Sequence, residues 1–279
     1  MDIRGYNSFI GNFKGEGIFE RYHWENDARG YLFSSRTLRN YSLEKKIEFE
    51  RLQDTSRHKE IVANIVEREY LNKSSLLLLG FGIELVLKSG VLSLYTGVSK
   101  DIFKNDIKYN YGHNLFHLAE DLFLDLTNEE MSLLMKMRVF IEKEIKYPLE
   151  ISNDEEYIKK INQRSNEIWD DHKYSVWVEL YNKIKCQIGA IDHCEEDVMH
   201  GGYWPINIDE YIHYRRGGKL PPIIKIKNCI SRDKKTEGLK SFILQHIDES
   251  PYRIYIEKDW DITILYQVNS KKLSLQKIS

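Results

Sequence analysis

From residue 76 the chain turns strongly apolar. Leu76 to Leu94 reads LLLLGFGIELVLKSGVLSL, interrupted by only two charges, Glu84 and Lys88. The run predicts a buried helix that stops near Tyr95-Thr96-Gly97, where glycine readily ends a helix. Glu84 and Lys88 are four residues apart and so share one helical face, with the acid on the N-terminal side. Charges in such surroundings pair with each other or receive a partner from a neighbouring helix.

Upstream, a helical phase starts at Trp24, with Asn26-Asp27 as its start signal, and Leu32, Ser35-Arg36 and Leu38-Arg39 keep that phase. Residues 43 to 71 set Ile47, Ile61, Ile65 and Val66 among many charges and predict one or two amphipathic helices. Residues 98 to 112 read as a polar loop, and 114 to 124 as a short helix carrying Leu115, Leu118 and Leu122. Thr127 and Glu130 form a capping-box pattern ahead of a helix through Leu134, Met137, Ile141 and Ile145, which Pro148 stops. A further helical region spans 154 to 185. The densest glycine and proline of the chain lies between Gly201 and Pro222 and predicts a linker. Beyond it, Ile223–Ile230, Arg253–Glu257 and Ile262–Val268 alternate as strands do, around a helical SFILQHI. The expected fold class is mainly α: an up-and-down helical bundle with a small C-terminal β-rich α/β appendage. The expected division is 1–200 helical domain, 201–222 linker and 223–279 appendage.

Composition narrows the function. With 279 residues, 42% hydrophobic and 30% charged, the chain can bury a core. A net charge of -2 argues against coating nucleic acid by bulk electrostatics and leaves a local basic groove open. The tail from Pro221 carries 11 lysines and arginines against 7 acids, which makes it mildly basic. Leu76 to Leu87 reads as too short and too charged to span a membrane, and MDIRGYNSFIGNF has no apolar core of signal-peptide length. Three sparse cysteines fit reduced thiols. A cytoplasmic protein without membrane contact is expected.

Four motifs occur in order: Tyr31-Leu32 with Ser34-Ser35-Arg36, then GFGIELVLK, then YGHNLFHLAEDL, then LLMKMRVFIEKEIKYPLEI. Over about Trp24 to Ile151 this series resembles the HEPN superfamily, specifically its poorly characterised bacterial members. The resemblance implies a HEPN-like bundle, usually a homodimer, that binds or cuts RNA in bacterial defence or toxin–antitoxin systems, with an antitoxin or defence protein as partner. It implies cleavage without metal or cofactor: an arginine and a histidine with four to six residues between them promote attack of the ribose 2′-hydroxyl on the adjacent phosphate. An imidazole moves protons near neutral pH, and a guanidinium stabilises the charge that develops on phosphorus. The alternative within the resemblance is a non-catalytic module for dimerisation or partner binding.

Arg51 and His58 have six residues between them, and on a continuous helix they would share a face. Arg164 and His172, with Tyr174 following, echo the family's H-x-Y ending. They have seven residues between them and stand about 80° apart on a helix. Arg215, Arg216, Tyr203 and Trp204 form a basic, aromatic cluster of the kind that stacks bases and holds phosphates, or that packs a linker on a bundle. Glu84, Lys88 and His113 are expected as a structural polar clasp between helices.

Metal chemistry lacks a pattern. His113 and His117 are four apart without the metalloprotease glutamate. Cys186, Cys194, His193 and His200 lack a Cys-x-x-Cys pair. Glu144-Ile145-Lys146 belongs to a helix rather than a strand beside an acid. No phosphate-cradling glycine loop or nucleophile elbow occurs.

Overall fold

The computed structural model describes residues 17–144, 168–227, 236–247 and 250–278. The chain is mostly helical, with a mixed five-stranded sheet toward its C-terminus. It falls into two compact units. One gathers Arg21–Ser89 and His113–Ile188; the other gathers Gly90–Gly112 and Gly189–Ser279 with residues 17–20. The sheet unit thus recruits an internal segment, 90–112, instead of starting after residue 222 as expected.

The helical unit is built on α1 (Arg21–Leu52) and α2 (His58–Leu94), whose last turn belongs to the sheet unit. The expected helices from Trp24 onward are one element. The five-residue break before α2 is closed by Thr55, whose hydroxyl donates to the Leu52 carbonyl. The two helices run antiparallel along a seam of small and polar residues. A Cβ on Gly82 would stand 3.3 Å from the Ala28 carbonyl oxygen, so the backbones approach closely there. Ser35 and Ser75 exchange hydrogen bonds, each hydroxyl donating to the other's carbonyl at 2.7 and 2.9 Å. Arg39 donates to Asn72, and Asn64 donates to the Lys45 carbonyl. On this stretch of α2 the buried stripe is Asn64, Arg68, Asn72 and Ser75, while Val62 and Val66 are exposed. The apolar pattern read there points outward, because the facing stripe of α1 (Ala28, Ser35, Arg39, Ser42) is itself small or polar.

Among the described residues this unit also holds α4 (Leu115–Asp121), α5 (Asn128–Val139) and α6 (Asp171–Ala190). The Thr127–Glu130 capping box forms as expected, and α5 passes into a wider π-turn over Phe140–Glu144. Two polar bridges set α6 antiparallel to α5, Lys183 to Glu130 and Gln187 to the backbone of Asp125. The expected helix from 154 falls partly outside the described residues.

In the sheet unit the expected loop 98–112 is helical: α3 (Lys100–Asn105) continues into a π-helical turn, Asp106–Tyr111. Ile102, Phe103, Ile107 and Tyr111 are buried, a spacing of fours and fives that the wider turn accommodates. The expected linker is sheet as well. β1 (His200–Pro205), β2 (Tyr211–Gly217) and β3 (Leu220–Lys227) form an antiparallel meander. Gly217, Lys219 and Gly218 all take positive φ in the β2–β3 turn, so the glycines mark a hairpin. The prolines sit at the start of β3, before its pairing with β4 begins at Ile223. A crossover through α7 (Thr236–His246) and α8 (Tyr252–Lys258) then brings β4 (Ile264–Asn269) parallel to β3, and β5 (Ser274–Lys277) closes the edge. Arg253–Glu257, expected as a strand, lies in α8. Pro251 opens that helix, only Ile256 is buried, and Arg253 pairs with Glu257 one turn on. One sheet face packs Ile212, Tyr214, Ile224, Ile226 and Leu265 on Leu239, Ile243 and Ile256.

By length and composition α2 passes for a membrane-crossing helix, although the shorter run 76–87 read as too short. Of its apolar window, 78% is buried inside the protein, as in a core helix.

Gly97 has φ +77°, and a Cβ there would stand 2.5 Å from the His213 ring. Gly97→Ala is therefore expected to cost about 1–3 kcal/mol. Gly30→Ala, in mid-α1 facing open space, should gain about 0.5–1 kcal/mol. Urea unfolding followed by circular dichroism measures both, and a neutral Gly97→Ala refutes the close approach.

Candidate functional site

Glu84 and Lys88 pair across one helical turn, and His113 meets the same carboxylate. Lys88 Nζ donates to Glu84 Oε1 at 2.6 Å, and His113 Nδ1 stands 2.8 Å from Oε2. Glu84 and Lys88 are buried, while the His113 side chain is partly exposed. Gly112, at φ +52°, turns the chain so that His113 faces α2, and Asn114 caps α4 by accepting from the His117 amide. Both carboxylate oxygens of Glu84 are occupied. The trio fixes α2 to the start of α4.

A second polar cluster, absent from the sequence reading, lies where α1 and α2 meet the start of α6. Arg39 is 3% exposed; it donates to Asn72 and to the Ile168 carbonyl and pairs with Asp171 at 2.6 Å. Its guanidinium also covers the Tyr174 ring. Arg68 is equally interior, 8% exposed, with its guanidinium 4.6 Å from the Trp169 ring centroid and 5.9 Å from that of Phe49. It makes no hydrogen bond with any described residue, and its Nε is buried without a partner. Burial pulls its pKa down, Asp171 and Glu50 oppose that pull, and Arg39 adds to it. Guanidinium does not give up its proton in proteins, so this is a partly desolvated positive charge with no acceptor among the described residues. The signal in the sequence was the recurrence of polar residues at 64, 68, 72 and 75, a helical stripe without apolar members.

Of the residues expected to be catalytic, Arg51 and His58 do not converge. Arg51 is the last basic residue of α1 and His58 the first residue of α2, so the break between them removes their common face. Arg164 lies outside the described residues. His172 is exposed on the first turn of α6, where Asp170 Oδ1 accepts the backbone N–H groups of His172 and Lys173. Tyr174 is buried, and its hydroxyl is 2.8 Å from Ser35 Oγ, a structural position in the helix seam. No described arginine bonds to His172 or His58. His172 instead borders a cavity of about 270 Å³, walled by Met137, Phe140 and Trp177 and rimmed by Lys136 and Lys173.

The expected RNA-binding cluster is folded into the sheet. Arg215 is 1% exposed and ion-paired with Asp192, so solvent phosphate does not reach it. Arg216 pairs with Asp259 at 2.7 Å and lies over Tyr255. Tyr203 rests against Tyr211, and Trp204 against Tyr252. Strand alternation puts Tyr211, His213 and Arg215 on the face opposite the Ile212–Tyr214 core, with Lys225 directly across from His213. Lys225 is fully buried and donates to the Thr96 carbonyl at 2.6 Å. Burial, then Arg215, holds its pKa well below the lysine range against the pull of Asp192. Burial, then Lys225 and Arg215, does the same to His213, whose Nδ1 has no hydrogen-bond partner.

Against family models, curated proteins and solved structures, the chain finds no match. Among the described residues no group of three or more histidine, cysteine or acidic side chains is placed to hold a metal. Cys186 and Cys194 are free thiols. Cys229 and Lys146 lie outside the described residues.

Removing one member of the clasp strands a buried charge. Glu84→Ala should destabilise by about 3–5 kcal/mol, whereas Glu84→Leu with Lys88→Leu should recover most of that loss. Equal destabilisation in chemical unfolding of both variants would refute the clasp.

For His213 the folded pKa lies below the unfolded value of 6.5, so the unfolded chain binds more protons in the interval between them. Its contribution is complete above about pH 7 and is lost as pH falls below 6.5 toward the folded value. His213→Gln should flatten the stability profile between about pH 7 and pH 5, measured by urea midpoints. An unchanged slope contradicts the buried neutral imidazole.

Proposed function

We propose that this protein is a HEPN-like RNA-binding protein of a bacterial defence or toxin–antitoxin system, gripping the phosphodiester backbone through its helical unit. Arg68 carries the reading. A guanidinium that bonds to no described residue, whose Nε alone is buried without a described partner, is backed by indole and phenyl rings beside a second arginine; it suits a phosphate oxygen, which takes charge-assisted hydrogen bonds from such a fork. The four ordered motifs and the antiparallel helices that bear them support the family. A homodimer, with an antitoxin or defence protein as further partner, belongs to the same proposal. Phe33 and Val62 are among the exposed apolar side chains such contacts would cover.

Metal-independent endoribonuclease activity is the second reading, favoured by one observation: His172 is exposed beside a cavity with two lysines at its rim. An imidazole there is free to take a proton from a 2′-hydroxyl, with cleavage leaving a 2′,3′-cyclic phosphate. The third reading, a non-catalytic partner-binding module, requires no anion at Arg68.

Fluorescence anisotropy with a labelled single-stranded RNA at several salt concentrations tests the main reading. Binding should weaken as salt rises, and Arg68→Ala should weaken it about tenfold or more. Salt-insensitive binding, or none, refutes it. The same RNA incubated in EDTA decides cleavage: loss of cutting in His172→Ala establishes the second reading, and intact RNA with wild-type protein ends it.

A further inference from the structure

The cavity beside His172 has two kinds of wall. Its interior presents the Trp177 indole, the Phe140 ring and the Met137 thioether, the last two buried. Its rim presents Lys136, His172 and Lys173, all exposed, and none of their side chains pairs with a described carboxylate within ion-pair distance. Asp170 is near, but its Oδ1 is engaged by two backbone N–H groups. At about 270 Å³ the space falls just below the range of about 300–1,000 Å³ that takes drug-sized ligands. It suits one flat ring system and little more.

An occupant must therefore be small, flat, able to stack on aromatic rings and attached to negative charge. A nucleobase with its flanking phosphate has these properties. Unpaired RNA bases splay out and stack on tryptophan and phenylalanine, with phosphates tracked by lysines. We propose that this cavity receives one unstacked base of a single-stranded RNA, with the adjoining phosphate held by Lys136, His172 and Lys173. The proposal rests on the RNA-binding reading above and adds a second contact, at the α5–α6 side of the helical unit. Arg68 supplies sequence-independent grip, and the cavity reads the presence of a base. A base seated against Trp177 also brings its own ribose-phosphate to the His172 imidazole.

The test compares two labelled oligomers of equal length by anisotropy, an intact single-stranded RNA and its abasic ribose-phosphate counterpart. The wild-type protein should bind the intact RNA about tenfold tighter. Trp177→Ala should erase that preference while leaving affinity for the abasic oligomer unchanged; Trp177→Phe should retain most of it. Lys136→Ala with Lys173→Ala should weaken both oligomers. A scan of 2-aminopurine through the RNA supplies a readout on unmodified protein: quenching at one position or more supports a stacked base. Equal affinity for the two oligomers, or no quenching at any position, overturns the base pocket while RNA binding stands. Binding of neither oligomer overturns the RNA-binding reading and the pocket together.

Discussion

The helical unit depends on how closely α1 and α2 approach. Gly82 faces the Ala28 carbonyl, Ser35 and Ser75 exchange hydrogen bonds, and Arg39 meets Asn72, all on one seam. Small side chains permit the approach, and it brings polar groups into satisfying distance without water. A larger residue at Ala28 or Gly82 would push the helices apart and break both the serine exchange and the arginine bond. The seam also fixes α6: Tyr174 shares the hydroxyl of Ser35, and Arg39 holds Asp171 and the Ile168 carbonyl. His172 lies between two residues so anchored, so its exposed position follows from contacts its neighbours make inside.

Each unit buries positive charge, and the two handle it differently. In the helical unit Lys88 has a carboxylate at 2.6 Å and Arg39 has one carboxylate and two neutral acceptors. These charges are compensated, which makes them devices of register more than sources of stability. Arg68 departs from that rule: its guanidinium meets the Trp169 and Phe49 rings and bonds to no described residue. In the sheet unit burial and like charge lower the pKa of both His213 and Lys225. His213 and Lys225 stand across from each other with Arg215 beyond, and burial favours their uncharged forms, so one carboxylate, Asp192, serves the set.

Much of the fold was legible where local chemistry decides. The Thr127–Glu130 capping box, the stop of α2 before Gly97 and the Glu84–Lys88–His113 trio each depend on residues close in sequence or on a single apolar helix. Reading failed where tertiary pairing overrides local pattern. Arg253–Glu257 alternates like a strand, yet Pro251 and an i,i+4 ion pair suit a helix equally well over so short a span. The glycines and prolines of 201–222 look like a linker until partners are known; paired, Gly201, Gly202 and Pro205 belong to β1, Gly217 and Gly218 to a hairpin turn, and Pro221 and Pro222 to the head of β3. The candidate site was half legible. His172 drew attention by type, whereas Arg39 and Arg68 went unseen because a search for apolar periodicity passes over a buried polar stripe.

That stripe changes where chemistry is to be sought. Arginine and histidine were expected to act together because their spacing in sequence places them on one helix. In the folded chain the buried arginines come from α1 and α2, and the exposed histidine from the first turn of α6. For Arg51 and His58, sequence spacing is a poor guide, because the helix breaks between them. The relevant relation is three-dimensional: Asp171 binds Arg39 and is one residue from His172. A phosphate that drew on Arg68 would compete with Asp171 for the local positive charge and so act on the residue that begins α6. Should a phosphate bind there as proposed, its effect would reach His172 through Asp171, which pairs with Arg39 and adjoins the imidazole in sequence.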